Sequence, residues 1–197
     1  MRAIIIGAGI GGLAAATLLR RAGHEVHVFE QAAQFARVGA GIQMAPNAMK
    51  VLRLLGVEEQ LVNKAFQADY ALSRAWDTGE PSSELSLGET VAKEFGAPYL
   101  FLHRADLHAA LAPLVPSDHV HLNMKLKFFD QKANCVDLHF TNGVMIKADA
   151  VIGADGVHSL IRTQMLGPEK PRFTGKVAYR TTFPASRIKG VTMAPVR

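Results

Sequence analysis

Gly7, Gly9 and Gly12 follow the apolar run Ala3-Ile4-Ile5-Ile6 with the spacing Gly-x-Gly-x-x-Gly, and Glu30 closes a second apolar run about 18 residues beyond the last glycine. Residue types at this spacing bind phosphate and ribose; they do not break bonds themselves. Gly7 permits a tight strand-to-helix turn, and the missing side chain at Gly9 lets the N–H groups of a helix start approach a pyrophosphate. Gly12, followed by Ala14, Ala15 and Ala16, lets that helix lie close to a sheet. Glu30 can accept hydrogen bonds from ribose hydroxyls, whereas a 2′-phosphate there would meet a like charge. The pattern predicts a dinucleotide without a 2′-phosphate, FAD or NAD.

These groups need a strand, a turn, a helix and a second strand to position them. The stretch from Met1 to Arg21 also resembles a signal peptide, with a basic start and an uncharged run, and Gly7-x-x-x-Gly11 matches a membrane-helix packing motif. It is short for a span and glycine-rich at its centre, and a β-branched strand follows it at once. The nucleotide reading therefore takes precedence.

Further along, Gln31 to Met44 reads as a loop in which Gly39-Ala40-Gly41 lets backbone pass close to something flat or bulky. A helix starts at Pro46, turns Met49, Leu52 and Leu55 inward, and stops at Gly56. Tyr70–Trp76 and Ser83–Leu87 read as a hairpin. Within Leu100–Val115, His103-Arg104-Ala105-Asp106-Leu107 opens a helix with Leu107, Leu111 and Leu114 on one face. Arg104 sits at the amino end of that helix, where a cation is disfavoured. Two readings stay open: an anion nearby, or an arginine that faces solvent or pairs with Asp106. Residues His119 to Gly153 are β-rich, with Asn142-Gly143 as a hairpin turn. The run Ala150-Val151-Ile152-Gly153 then enters Ala154-Asp155-Gly156 and a further helix start. Lys176–Pro184 reads as a lone strand with nothing to pair it.

Composition bounds the rest. The 197 residues are 49% hydrophobic and 20% charged, enough for one sizeable core and part of another. A single cysteine, Cys135, rules out an internal disulfide, and a reducing cytoplasm is the expected setting. The net charge of +5 is dispersed and lacks a nucleic-acid reader motif, so an anionic cofactor and an anionic substrate account for it better. His119 and His121 share a strand face but lack carboxylate or Cys partners in sequence, and no metal site is expected.

Together the motifs resemble those of the FAD-dependent aromatic-ring hydroxylases, the single-component flavoprotein monooxygenases. The matching pieces are Gly7 to Gly12 with Glu30, Arg37 with Gly39-Ala40-Gly41-Ile42-Gln43 and Pro46-Asn47, the His103–Leu107 helix start, and Gly153-Ala154-Asp155-Gly156 with Ser159 and Arg162. The resemblance covers essentially the whole chain, and the last motif is the most specific. It implies an α/β fold: a Rossmann-like FAD-binding domain with a β-rich crossover over residues 1–172, and the start of a substrate-domain sheet over 173–197.

By the same resemblance, Gly7, Gly9 and Gly12 hold the FAD pyrophosphate, Glu30 lies at the adenosine ribose, Gln31 is a further cofactor-binding residue, and Arg37 and Arg104 lie along the cofactor. Asp155 and Gly156 serve both FAD and the electron donor, NADH or NADPH. The implied chemistry is the cofactor's: NAD(P)H reduces the flavin, molecular oxygen forms a C4a-hydroperoxide, and oxygen passes to a small electron-rich aromatic. The nearest members act on hydroxylated pyridine or benzene carboxylates, such as 6-hydroxynicotinate, salicylate and 3-hydroxybenzoate. Gln43 stands beside the flavin where nicotinate-type members carry a histidine. An amide can orient a substrate but cannot take its proton, so Gln43 is expected to position, with the base supplied elsewhere.

The family also has a later Gly-Asp flavin motif and a long carboxy-terminal region, and this chain stops before both. It is therefore expected to be the amino-terminal part of a hydroxylase, whose complete form is open to homodimerisation, with no membrane partner. Alternatives are a non-catalytic FAD- or nucleotide-binding module, or another FAD-linked oxidoreductase of the same fold. Substrate-stimulated NAD(P)H oxidation separates the first alternative, and product analysis the second.

Overall fold

The computed structural model describes residues 1–36, 39–179 and 183–187. The elements run β1 (Arg2–Ile6), α1 (Ile10–Arg21), β2 (Glu25–Phe29), β3 (Gly41–Met44), α2 (Pro46–Leu55), α3 (Glu58–Val62), β4 (Tyr70–Arg74), β5 (Pro81–Ser86), α4 (Glu89–Phe95), β6 (Leu100–His103) and α5 (Arg104–Leu111). They continue with β7 (Val120–His121), β8 (Leu126–Gln131), β9 (Val136–Phe140), β10 (Met145–Ala148), β11 (Ala150–Gly153) and α6 (Leu160–Leu166). The chain divides into two units: Met1–Arg37 with His108–Val177, and Val38–Leu107 with Ala178–Arg197.

The first unit is built on a parallel sheet of order β11-β1-β2-β7. Parallel strands are buried on both faces, which is why β1 runs Ala3-Ile4-Ile5-Ile6 without a polar break; in β2 Val26, Val28 and Phe29 are buried and His27 is half-buried. Ile4 faces His27 in register and Ile6 faces Phe29, so these side chains share one face, while Ile5 and Val28 take the other. On the first face Ile4, Ile6 and Phe29 pack with Leu126, Leu138 and Phe140 of the antiparallel sheet β10-β9-β8. The rings of Phe29 and Phe140 lie 5.1 Å apart. Helix α1 buries Gly12, Leu13, Ala16 and Thr17 and contacts β1 and β2. The hydroxyl of Thr17 donates to the Leu13 carbonyl at 2.8 Å, so this buried polar group is satisfied.

In the second unit β3 pairs antiparallel with β6, and β4 with β5. Helix α2 begins at Pro46, buries Met49, Leu52 and Leu55, and ends at Gly56 in the left-handed region (φ 80°), as its sequence predicts. The residues read as a loop up to Met44 instead form β3 over Gly41–Met44. Ile42 lies opposite Leu102, and this pairing supplies what the glycine-rich local sequence lacks. The helix expected from His103 is likewise preceded by a strand, Leu100–His103, whose Leu100 and Leu102 are buried by period-two alternation. The short helices α3 and α4 were not expected from the sequence. Residues 176–179 form no strand, in keeping with the lack of a partner, and 180–182 lie outside the described residues.

Candidate functional site

The β1–α1 turn is set by contacts that leave no room for side chains. Gly7 has φ 106°, and a Cβ on it would stand 2.3 Å from the Ala154 carbonyl oxygen. A Cβ on Gly12 would stand 1.9 Å from the Gly7 carbonyl oxygen. Both glycines are required by backbone approach, Gly7 to the β11–α6 turn and Gly12 to its own turn. Gly9 differs: nothing lies within 4 Å of its Cβ position, and it caps α1 without any side-chain hydrogen bond. The first N–H groups of a helix have no intrahelical partner, so α1 presents uncapped donors and the positive end of its dipole.

Glu30 is fixed at four points. Its Oε2 accepts from the Ala8 N–H at 2.8 Å and its Oε1 from the Ala32 N–H at 2.9 Å. Its own N–H donates to the His121 carbonyl, and its carbonyl accepts from the Met124 N–H. Each carboxylate oxygen keeps lone-pair capacity for a further donor, such as a ribose hydroxyl.

At the end of β11, Asp155 anchors α6. Its Oδ1 accepts from the Ser159 hydroxyl at 2.6 Å and its Oδ2 from the Leu160 N–H at 2.7 Å and the Ile161 N–H at 3.3 Å. Ser159 in turn caps the helix by accepting from the Arg162 N–H at 2.9 Å. Gly156 follows at φ 79° with open space over its Cβ position.

These turns border one cavity of about 490 Å³, lined by Gly7, Gly9, Glu30, Gln31, Asp155 and Gly156 among others. Six of the residues expected from the sequence to bind cofactor thus share one wall, and Gly12 packs beneath it. An uncapped helix start, a glycine with free space over it, and an anchored carboxylate fit the diphosphate and ribose of FAD.

Two expected residues lie in the other unit. Arg104 is exposed, and its aliphatic stem lies against Gly39, where a Cβ would come within 3.0 Å of it. Gln43 is exposed on β3 and accepts a hydrogen bond from the Tyr99 hydroxyl at 2.9 Å. Tyr99 neighbours Phe101 (5.5 Å between rings), which lies opposite Gln43 in register, and Phe101 neighbours Phe66 (6.2 Å). Arg37 lies outside the described residues.

Sequence reading missed two contributors. His108 Nε2 lies 2.8 Å from the Ala8 carbonyl oxygen, and nothing in the local sequence marks it. Tyr99 was detectable through its period-two alternation with Phe101 on the strand face opposite Leu100 and Leu102. Among the described residues, no group of His, Cys, Asp or Glu is placed to hold a metal ion, and no helix is long and apolar enough to cross a membrane.

The family model described as FAD binding domain matches residues 1–179. The chain is 44% identical over 188 residues to 6-hydroxynicotinate 3-monooxygenase of Pseudomonas fluorescens, covering 95% of this chain and 49% of that protein. It is 41% identical to 3-amino-4-hydroxybenzoate 2-monooxygenase of Streptomyces cremeus, covering 95% and 48%. Among solved structures, Klebsiella pneumoniae HpxO with FAD and uric acid superposes with a TM-score of 0.75 at 29% identity, over 83% of this chain and 41% of that one. The 2,6-dihydroxypyridine-3-hydroxylase of Arthrobacter nicotinovorans gives 0.71 at 28% identity, over 85% and 40%. The chain spans about half the length of the curated relatives it matches.

Proposed function

We propose, from the premise that the chain belongs to the FAD binding domain family, that it is the flavin-binding part of a monooxygenase that hydroxylates a small aromatic, a hydroxylated benzene or pyridine carboxylate, at the expense of NADH or NADPH. The observation that carries this reading is the cavity in which Gly7, Gly9, Glu30 and Asp155 meet. FAD is the cofactor of the family, and when bound it supplies the redox and oxygen chemistry that no side chain offers.

The chain's own residues bind and orient. The α1 start takes the diphosphate, Glu30 the ribose, and Asp155 holds α6 so that Gly156 can border the cofactor. In this reading Gln31, Arg37 and Arg104 also lie along it. Gln43 positions the aromatic substrate: with its carbonyl held by Tyr99, its amide N–H groups are left as donors for a carboxylate or phenolate oxygen. An amide takes no proton, so the base that activates the ring is another group. Residues 1–172 form the flavin domain in this reading and 173–197 begin a substrate domain. The names of the relatives, which act on 6-hydroxynicotinate and 3-amino-4-hydroxybenzoate, support the substrate class.

The test is NAD(P)H oxidation by the complete protein with a panel of hydroxylated aromatic carboxylates, with product identification. Oxidation stimulated by one member and coupled to a hydroxylated product is expected. Flavin binding without any stimulated oxidation would leave a nucleotide-binding module instead.

A further inference from the structure

We infer that His108 is a positioning residue for the diphosphate: it fixes the peptide plane that aims the Gly9 N–H at the cofactor. This rests on the reading of the β1–α1 turn as the FAD diphosphate site.

A trans peptide carries its C=O and N–H on opposite sides, so holding one fixes the direction of the other. Two successive peptides in this turn are held in that way. The Ala8 N–H donates to Glu30, which directs the carbonyl of the same peptide, that of Gly7, to the opposite side, over Gly12. The Ala8 carbonyl lies 2.8 Å from His108 Nε2, which donates to it because a carbonyl can only accept. The N–H of that second peptide belongs to Gly9 and is therefore directed away from His108. Gly9 lines the cavity, and the space over its Cβ position is open.

Glycines are the residues least able to hold a peptide plane by themselves, because both signs of φ are open to them. Gly7 and Gly9 flank Ala8, so the orientation has to be imposed from outside, by Glu30 on one side and His108 on the other. His108 is itself oriented: it sits on α5, and its ring packs edge-on against Phe35 at 4.8 Å. The carboxylate therefore does two jobs, reading ribose and setting the turn, whereas His108 has only the second.

The experiment compares ligands with and without phosphate. FAD binding is followed by flavin fluorescence, and ADP and adenosine binding by calorimetry, for the wild-type chain, His108→Leu and His108→Gln. The inference expects His108→Leu to raise the Kd for FAD and ADP about tenfold, the loss of one hydrogen bond, and to leave adenosine within twofold. His108→Gln, whose amide N–H can still reach a carbonyl, should recover most of the affinity. Equal weakening of ADP and adenosine, or unchanged ADP affinity in His108→Leu with a native far-UV spectrum, would overturn it. Failure of the wild-type chain to bind FAD while it still binds ADP would count against the flavin reading alone, and the ADP and adenosine arms would still decide the role of His108.

Discussion

Around the cavity of the first unit stand the uncapped N–H groups of the α1 start and two carboxylates, Glu30 and Asp155, that are tied to the chain before any ligand arrives. Glu30 is held at four points and Asp155 at three. On the β3–β6 face of the other unit, by contrast, the chemical group is one exposed amide, Gln43, held by one phenol. The first region is preorganised, so a ligand meets dipoles whose ordering has already been done at folding. The second has a side chain that can adapt. That division suits the roles proposed above, a tightly held cofactor at the first and an adjustable contact to substrate at the second.

The largest effect should come from filling the space under the turn. Gly12→Ala would place a Cβ 1.9 Å from the Gly7 carbonyl oxygen, so α1 must move off the sheet. A loss of about 3 kcal/mol or more in urea unfolding is expected. A near-neutral result would mean that the turn is not as tightly fixed as the comparison requires. Next comes Asp155→Ala, which strips α6 of three hydrogen bonds from residues 159 to 161 and should cost about 1–2 kcal/mol.

A smaller effect follows from pH at the edge of the same unit. The rings of His27 and His119 stack at 4.5 Å, and His27 Nδ1 lies 3.0 Å from His121 Nε2. Burial first, and then the charge of His119, lower the pKa of both His27 and His121 below the usual 6.5, with Arg2 adding to the effect and Glu25 or Asp118 opposing it. Arg20 also reaches His119, at 2.7 Å. The unfolded chain therefore takes up protons first, and stability present above about pH 6.5 is lost as pH falls through that value. Melting temperature should drop between pH 7.5 and pH 5, and His121→Phe should flatten the drop. Because the His121 carbonyl accepts from the Glu30 N–H, the loosening should reach Glu30, the carboxylate proposed for the ribose.

The smallest effect belongs to the adaptable region. Tyr99→Phe removes a partly exposed hydrogen bond and should change stability by less than about 1 kcal/mol. A large loss there would break the comparison from the other side.

What could be read in the sequence divides along the same line. Gly9 and Glu30 were legible only through the dinucleotide-binding spacing, whereas the glycines at 7 and 12 and the Asp155-Gly156 turn announce themselves because backbone approach and helix anchoring demand particular residue types. Helix α2 was legible from Pro46 to Gly56 for the same reason. Strand β3 was not, since its pairing with β6 joins residues some 60 positions apart and a glycine-rich run carries no strand preference of its own. His108 was invisible because its partner is a backbone carbonyl 100 residues away, and any donor of suitable length could serve. Asp155 was legible as a candidate site residue, but the three bonds by which it holds α6 emerged only in three dimensions.

If the diphosphate of FAD sits in the open space over Gly9, a side chain placed there must exclude the flavin. The direct measurement is the visible absorption spectrum of the chain and of Gly9→Val after loading with FAD and desalting. No atom lies within 4 Å of the Gly9 Cβ position, so the variant should fold with a stability change below about 1 kcal/mol. Flavin bands in the wild-type chain and a colourless, folded Gly9→Val are the expected result. Equal flavin retention in both would contradict the account.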